Sequence, residues 1–208
     1  MACRLFVKVF AGLLLALLCG LPAVAATILV YGDSLSAGYG LARGADWPAL
    51  LQQRLSERRT DYKVANASIS GETTLGGANR IEQALREHRP AITIVALGAN
   101  DGLRGASVET MRVNLERIIE AARRAHSQVL LVGMQIPPNY GPQYTEKFRR
   151  SYGEIARAKR IPLVPFLLEG FADQREMFQN DQLHPVAAAQ PLILETVWKG
   201  LGPMLKIK

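Results

Sequence analysis

Cysteine is nearly missing from this 208-residue chain, and the two that occur, Cys3 and Cys19, both fall within the first 25 residues. Once that segment is removed no thiol remains, which excludes a cysteine nucleophile, disulfides and cysteine-bound metal together. Histidine is almost as scarce. The three histidines, His88, His126 and His184, are too scattered for a histidine-rich metal site, so no metal is expected. No basic stripe interleaved with aromatics argues for nucleic acid. A Walker-type phosphate loop is missing too, and the run from Gly38 to Gly44 fails the dinucleotide pattern because its last spacing is one residue too long and it does not directly follow a strand. No cofactor is therefore expected.

Also lacking is an uninterrupted apolar run of about 20 residues, the length a membrane span needs. The nearest candidate is Val9 to Leu21, which follows the basic start carrying Arg4 and Lys8, contains Gly12 and Gly20, and precedes Pro22 and the small-residue site Ala23-Val24-Ala25. This layout predicts a secretory signal peptide over residues 1–25, cleaved after Ala25, and a periplasmic or secreted product. A membrane anchor fits less well, and Leu18 is too large for a lipoprotein site at Cys19. The remainder, 26–208, has 208 − 25 = 183 residues, enough for one domain with a buried core. Losing Arg4 and Lys8 lowers the formal charge from +7 to +5 (7 − 2). The remaining basic residues are spread along helical faces, as in Arg54 to Arg59, and specify no partner.

Short β-branched runs alternate with segments of helical period, which predicts an α/β fold with a parallel sheet covered on both faces. Strands are expected at Thr27 to Tyr31, Tyr62 to Asn66, Ile92 to Leu97, Gln128 to Met134 and Leu163 to Val164. Helices are expected at Trp47 to Arg58, Gly77 to His88, Val108 to Ala125, Pro142 to Lys159 and Ala187 to Trp198. Runs such as Ile92 to Leu97, apolar at nearly every position, suit strands buried on both sides. Functional residues in such a sheet collect beyond the carboxyl ends of its strands.

Four loops at those ends carry complementary chemistry. Ser34 follows the first strand in Gly32-Asp33-Ser34-Leu35-Ser36, and Gly71 follows the second in Asn66-Ala67-Ser68-Ile69-Ser70-Gly71. Asn100 follows the third in Gly98-Ala99-Asn100-Asp101. Asp181-Gln182-Leu183-His184-Pro185 precedes the last helix. A serine hydroxyl is inert until a base takes its proton and a third group orients that base. Ser34, His184 and Asp181 can fill these roles, with the N–H groups of Ser34 and Gly71 and the Asn100 amide as oxyanion donors. Each motif alone also reads as a turn or a helix cap. The nucleophile segment is not Gly-x-Ser-x-Gly, because Ser36 holds the last position, which argues against an ordinary α/β-hydrolase elbow. His88, before Pro90, and His126, in a helix-to-strand turn, read as bystanders.

All four blocks, in order and spanning the mature chain, resemble the GDSL or SGNH hydrolases, and specifically their thioesterase, lysophospholipase and arylesterase branch. The resemblance implies a three-layer, flavodoxin-like SGNH fold on a five-stranded parallel sheet. It implies a triad of Ser34, His184 and Asp181, and an oxyanion hole of Ser34, Gly71 and Asn100. It further implies a mobile loop over Gly102 to Ser107, including Leu103 and Arg104, beside an acyl crevice walled by Ile136 and Pro137. Two residues depart from the family pattern: Ala99, where a second glycine is usual, and Gln182, where glycine is usual between Asp181 and His184.

The expected protein is a monomeric, cofactor-independent serine esterase that hydrolyses acyl esters and thioesters, with small-molecule esters or lysophospholipids as substrates. Two alternatives stay open: a short-chain or carbohydrate acetyl esterase, and a lipid-binding envelope protein on a retained hydrolase fold.

Overall fold

The computed structural model describes residues 25–206; the expected signal peptide lies almost wholly outside them. Five strands, β1 (Ala26–Gly32), β2 (Tyr62–Asn66), β3 (Ile92–Ala96), β4 (Gln128–Val132) and β5 (Leu163–Val164), form one parallel sheet in the order β2-β1-β3-β4-β5. Among the described residues seven α-helices accompany them. Two are single turns, α1 (Ser34–Ala37) and α4 (Ala99–Leu103). The longer ones are α2 (Trp47–Glu57), α3 (Thr74–His88), α5 (Val108–Arg124), α6 (Pro142–Lys159) and α7 (Gln190–Leu201).

Alternation along the strands builds two cores. Ile28 and Val30 of β1, Ile92 and Ile94 of β3, and Leu130 and Val132 of β4 point to one face, where α2 and α7 bring Leu51, Leu55, Ile193 and Val197. Leu29, Tyr31, Val95, Val129 and Leu131 point to the other, against Ile81 of α3, Leu115 and Ile118 of α5, and Phe148 and Tyr152 of α6. Burial on both faces is why the strand runs lack a polar alternation. A fully buried leucine or isoleucine contributes about 1.5–3 kcal/mol, so the sandwich of helices fixes the sheet edge that carries the loops.

Element ends differ from the sequence expectations for identifiable reasons. α3 starts at Thr74, because the Thr73 side chain accepts from Gly76 N and caps a turn made of weak helix formers. Gly77 lies inside the helix, where a β-carbon would come 2.5 Å from Leu97 Cδ1. Ala187–Ala189 forms a 3-10 turn rather than the start of α7. That helix runs past Trp198 to Leu201 because Gly200 is a packing glycine: a β-carbon there would lie 2.9 Å from both Leu130 Cδ1 and Val164 Cγ2. The third strand stops before Leu97, whose carbonyl accepts the Tyr152 hydroxyl at 3.0 Å. The fourth stops at Val132, two residues short of Met134.

The chain leaves β1 to pair with β2 on one side and returns to place β3 on the other, so the loops after β1 and β3 part at a switch point of the sheet. Ligands of open parallel sheets bind in the crevice formed there. Ser34 and Asn100 stand in those two loops.

Candidate active site

β1 ends at Gly32, where the backbone passes so close to its neighbours that a β-carbon would lie 2.8 Å from Ser36 Oγ and 3.0 Å from the Ala96 carbonyl. Asp33 then adopts an extended conformation and caps α1, its Oδ1 accepting from Leu35 N at 3.0 Å. Ser34 is consequently the first residue of a one-turn helix, with its N–H among the donors that a helix start leaves free. The capping role of Asp33 and the half-buried position of Ser34 are two consequences of one turn.

The opposite wall is a tight turn. Gln182 N donates to Gln179 O at 2.9 Å and Gln179 N to His184 O at 2.8 Å. Asp181 Oδ1 accepts from Leu183 N at 2.9 Å and His184 N at 3.1 Å, leaving Oδ2 to face His184 Nδ1 at 2.7 Å. His184 Nε2 lies 2.9 Å from Ser34 Oγ. The Leu183 N–H, foremost, and then the His184 ring hold the Asp181 carboxyl down at about 2. An ionised Asp181 accepts the Nδ1 proton, which leaves Nε2 as the acceptor for the serine hydroxyl.

Gly71 arrives by a different route. The segment after β2 keeps running beside the end of β1: Ala67 N donates to Val30 O at 2.9 Å, Ile69 N to Gly32 O at 3.1 Å, and Gly32 N to Ser68 Oγ at 3.1 Å. Gly71 then turns with φ +79°, a conformation that side chains resist, and open space lies where a β-carbon would be. Among the described residues, neither Ser34 N nor Gly71 N has an acceptor within hydrogen-bond distance. Asn100, in the first turn of α4, donates through Nδ2 to Glu72 O at 3.0 Å and lies 3.5 Å from Asp33 Oδ2. An amide nitrogen carries two protons, and a 3.5 Å contact is weak. One proton is engaged by Glu72 O, and the other is left for an oxyanion.

Behind this corner sits a buried acid. Burial pushes the Asp33 carboxyl up to about 7, and the Asp101 carboxylate adds to the shift. Asp101 itself accepts from Thr74 N at 2.9 Å and Thr74 Oγ1 at 2.6 Å, which ties α4 to α3.

A cavity of about 410 Å³ reaches Ser34 and His184 and is lined by Leu103, Ile136, Pro137, Phe166, Leu168 and Phe178 among others. Ala99 and Gln182, the two departures from the family pattern, also line it. Gly102 and Arg104, expected in the loop beside it, are not among the residues that line it. Gly102 is buried behind the wall, against Ile136 and Phe148. Arg104 turns away, donating to Gly71 O at 3.2 Å. The segment that follows is held by tyrosines, with Tyr140 Oη donating to Leu103 O at 2.8 Å and Tyr144 Oη to Ala106 O at 2.7 Å.

The sequence reading missed several groups that touch this site. Glu72, Arg80, Tyr39 and Gln179 lie outside the four blocks, and helical period alone marks Arg80 as a solvated residue. Nothing local in the sequence tells that its guanidinium is over the Tyr31 ring, 4.2 Å from the centroid. His88 ends α3, and His126 lies between α5 and β4 with φ +58°; both are remote from the cavity lining.

A 2-1-3-4-5 parallel sheet that sets a serine, a histidine and an aspartate in hydrogen-bonded series at its carboxyl edge defines a hydrolase of flavodoxin-like architecture. The model of the GDSL-like lipase/acylhydrolase family matches residues 30–191, and the chain belongs to that family. It is 49% identical over 183 residues to Esterase TesA of Pseudomonas aeruginosa, covering 88% of this chain and 91% of that protein. It is 38% identical over 193 residues to Thioesterase 1/protease 1/lysophospholipase L1 of Escherichia coli, covering 93% and 91%. The crystal structure of TesA matches with a TM-score of 0.84 over 86% of this chain and 99% of that one. The psychrotrophic esterase EstA from Pseudoalteromonas, solved in a form inhibited by monoethylphosphonate, matches with a TM-score of 0.82 at 38% identity, over 86% and 97%. This chain is accordingly an ester hydrolase. Among its described residues no helix is long and apolar enough to cross a membrane.

Proposed function

We propose that this hydrolase cleaves acyl esters and thioesters, lysophospholipids among them, through an acyl-enzyme on Ser34. The observation that carries the reading is the series Ser34 Oγ, His184 Nε2, His184 Nδ1, Asp181 Oδ2, with steps of 2.9 and 2.7 Å, at the mouth of a largely apolar cavity. His184 takes the hydroxyl proton as Ser34 attacks the acyl carbon, and returns it to the departing alkoxide or thiolate. The negative oxygen of the tetrahedral intermediate is met by Ser34 N, Gly71 N and the free proton of Asn100 Nδ2. Water, activated by His184, then releases the fatty acid from Ser34. Asp181 stays ionised and stabilises the imidazolium in both halves.

The apolar lining from Leu103 and Ile136 to Leu168 and Phe178 favours an acyl chain over the acetyl group of a short-chain or carbohydrate deacetylase. The N-terminal layout supports export to the periplasm, where lysophospholipids and other esters are more available than cytosolic acyl-CoA. Every reacting group comes from one chain, so a monomer suffices.

Ser34→Ala should abolish both p-nitrophenyl ester hydrolysis and labelling by a fluorophosphonate while keeping the fold. Turnover retained by that variant would refute the assignment. A series of acyl lengths separates the two esterase readings: a deacetylase rejects chains beyond acetyl.

A further inference from the structure

The imidazole of His184 is covered on one face by a residue from outside the four blocks. The ring of Tyr39 lies with its centroid 4.3 Å from that of His184, the planes tilted by 36°. Tyr39 is half exposed, so burial of its own ring does not account for the placement. Gln179 holds it there. Gln179 Nε2 donates to the Tyr39 carbonyl at 2.8 Å and also to Pro185 O at 3.3 Å. Its backbone N–H donates to His184 O, and its carbonyl accepts from Gln182 N. Its Oε1 fills the space where a β-carbon of Gly40 would be, and Gly40 has φ +71°. One side chain thus joins the loop after the nucleophile helix to the turn that carries Asp181 and His184.

We propose that Tyr39 and Gln179 are positioning residues for His184, with Tyr39 stabilising the imidazolium that forms during each acyl transfer and Gln179 fixing the two loops in register. A cation is drawn to the negative face of an aromatic ring. The neutral imidazole gains much less from it, so the contact favours the charged form that follows proton removal from Ser34. The titratable groups around the ring are Asp181 on its own turn, the Ser34 hydroxyl on α1, the Tyr39 phenol on the following loop, and Asp173, which lines the same cavity. Asp181 approaches the ring edge through Nδ1; Tyr39 alone of these stacks against the ring, which makes its effect separable.

The inference rests on the triad reading above. The test is kcat and KM of Tyr39→Leu, Tyr39→Phe and Gln179→Leu across pH with a p-nitrophenyl acyl ester, alongside fluorophosphonate labelling. Tyr39→Leu should lower the plateau kcat about two- to fivefold with little change in KM. It should also move the acid limb of kcat/KM to lower pH by about 0.4–0.7 unit, the equivalent of about 0.5–1 kcal/mol for a cation over an exposed ring. The direction follows from the chemistry: a less favoured imidazolium gives up its proton at lower pH, so the variant is slower at its plateau yet holds that plateau further into acid. Tyr39→Phe keeps the ring and should restore both quantities. Gln179→Leu should lower kcat while KM stays within about twofold. A lowered plateau with an unmoved acid limb, or a Phe variant as impaired as Leu, would overturn the role of Tyr39, and an unchanged kcat in Gln179→Leu would overturn that of Gln179. If wild type is not labelled at all and Ser34→Ala still turns over, the triad reading itself has failed; labelling with an unmoved limb defeats the inference alone.

Discussion

The carbonyl oxygen of Glu72 accepts the Asn100 side-chain amide at 3.0 Å, so a residue outside the four blocks aims one of the candidate oxyanion donors. Glu72 is held in turn by Arg80, whose Nε pairs with its carboxylate while Nη1 donates to Ala67 O at 2.8 Å. The guanidinium also rests on the Tyr31 ring. These contacts brace the Gly71–Glu72 turn from behind.

Removing that brace should misdirect the oxyanion hole without touching the acyl pocket. Asn100→Ala is expected to lower kcat on the order of one hundredfold, the cost of one lost donor. Arg80→Met keeps the stem against Tyr31 but loses the fork, and should lower kcat by about tenfold with KM nearly unchanged. The double variant should be slower than Asn100→Ala alone but by less than the product of the two effects, because Arg80 acts partly through the Asn100 donor and partly on Gly71. Steady-state kinetics on a short acyl ester measures all three; full additivity would place Arg80 outside this route.

Asp33 makes stability depend on pH. Its folded value, raised to about 7, lies well above that of an unfolded aspartate at about 3.9. The unfolded chain therefore sheds this proton first, and stability due to the protonated, buried form is lost as pH rises through about 7. Asp33→Asn retains an oxygen for Leu35 N and cannot ionise. Between about pH 4 and about pH 7 the Tm of wild type should fall relative to that of the variant, and the difference should level off above about pH 8. Parallel Tm curves would mean that Asp33 does not titrate in this range.

The central strands could be read to within a residue or two because burial on both faces leaves a continuous apolar signal, as in Ile92 to Ala96. The four loops could be read because chemistry needs particular side chains at particular strand ends. What escaped the sequence has no local signature. α1 and α4 are single turns too short to show a helical period. The expected helices start at Gly77 and stop at Trp198, short of Gly200, whereas tertiary contact with Leu97, Leu130 and Val164 makes both glycines helix-interior packing sites. Arg104 looks like a loop cation aimed at substrate, but its hydrogen bond to Gly71 O is a long-range fact. Tyr39 and Gln179, 140 positions apart, meet only once the sheet has formed.

Gln182 sits at φ +59°, the left-handed region that favours glycine, the residue the family resemblance implies there. A non-glycine residue there costs roughly 1 kcal/mol, while glycine costs roughly 0.5–1 kcal/mol in lost chain entropy. Gln182→Gly should therefore change stability by less than about 0.5 kcal/mol. Its side chain lines the cavity, so the larger effect falls on substrate choice. The variant should accept bulkier acyl groups with lower KM while acetyl esters are unaffected. An acyl-length series on both proteins tests this, and identical profiles would show that Gln182 has no part in selection.

Gly102 supports the cavity wall from inside. A β-carbon there would lie 2.6 Å from Ile136 Cγ2 and 2.7 Å from Phe148 Cε2, both too close without movement. Alanine would gain up to about 1 kcal/mol of helix propensity in α4. Overpacking costs about 1–3 kcal/mol, so Gly102→Ala should lower Tm on balance. Phe148 is fully buried between α6 and the sheet and cannot retreat. Ile136 can, because its other side faces the cavity, and its retreat narrows the acyl space. Gly102→Ala should therefore raise KM for long acyl esters while leaving that for acetyl esters near wild type. Adding Ile136→Ala removes the methyl that collides and should recover part of the long-chain KM. A single variant as stable as wild type, with an unchanged acyl-length profile, would show that the wall does not depend on the missing side chain.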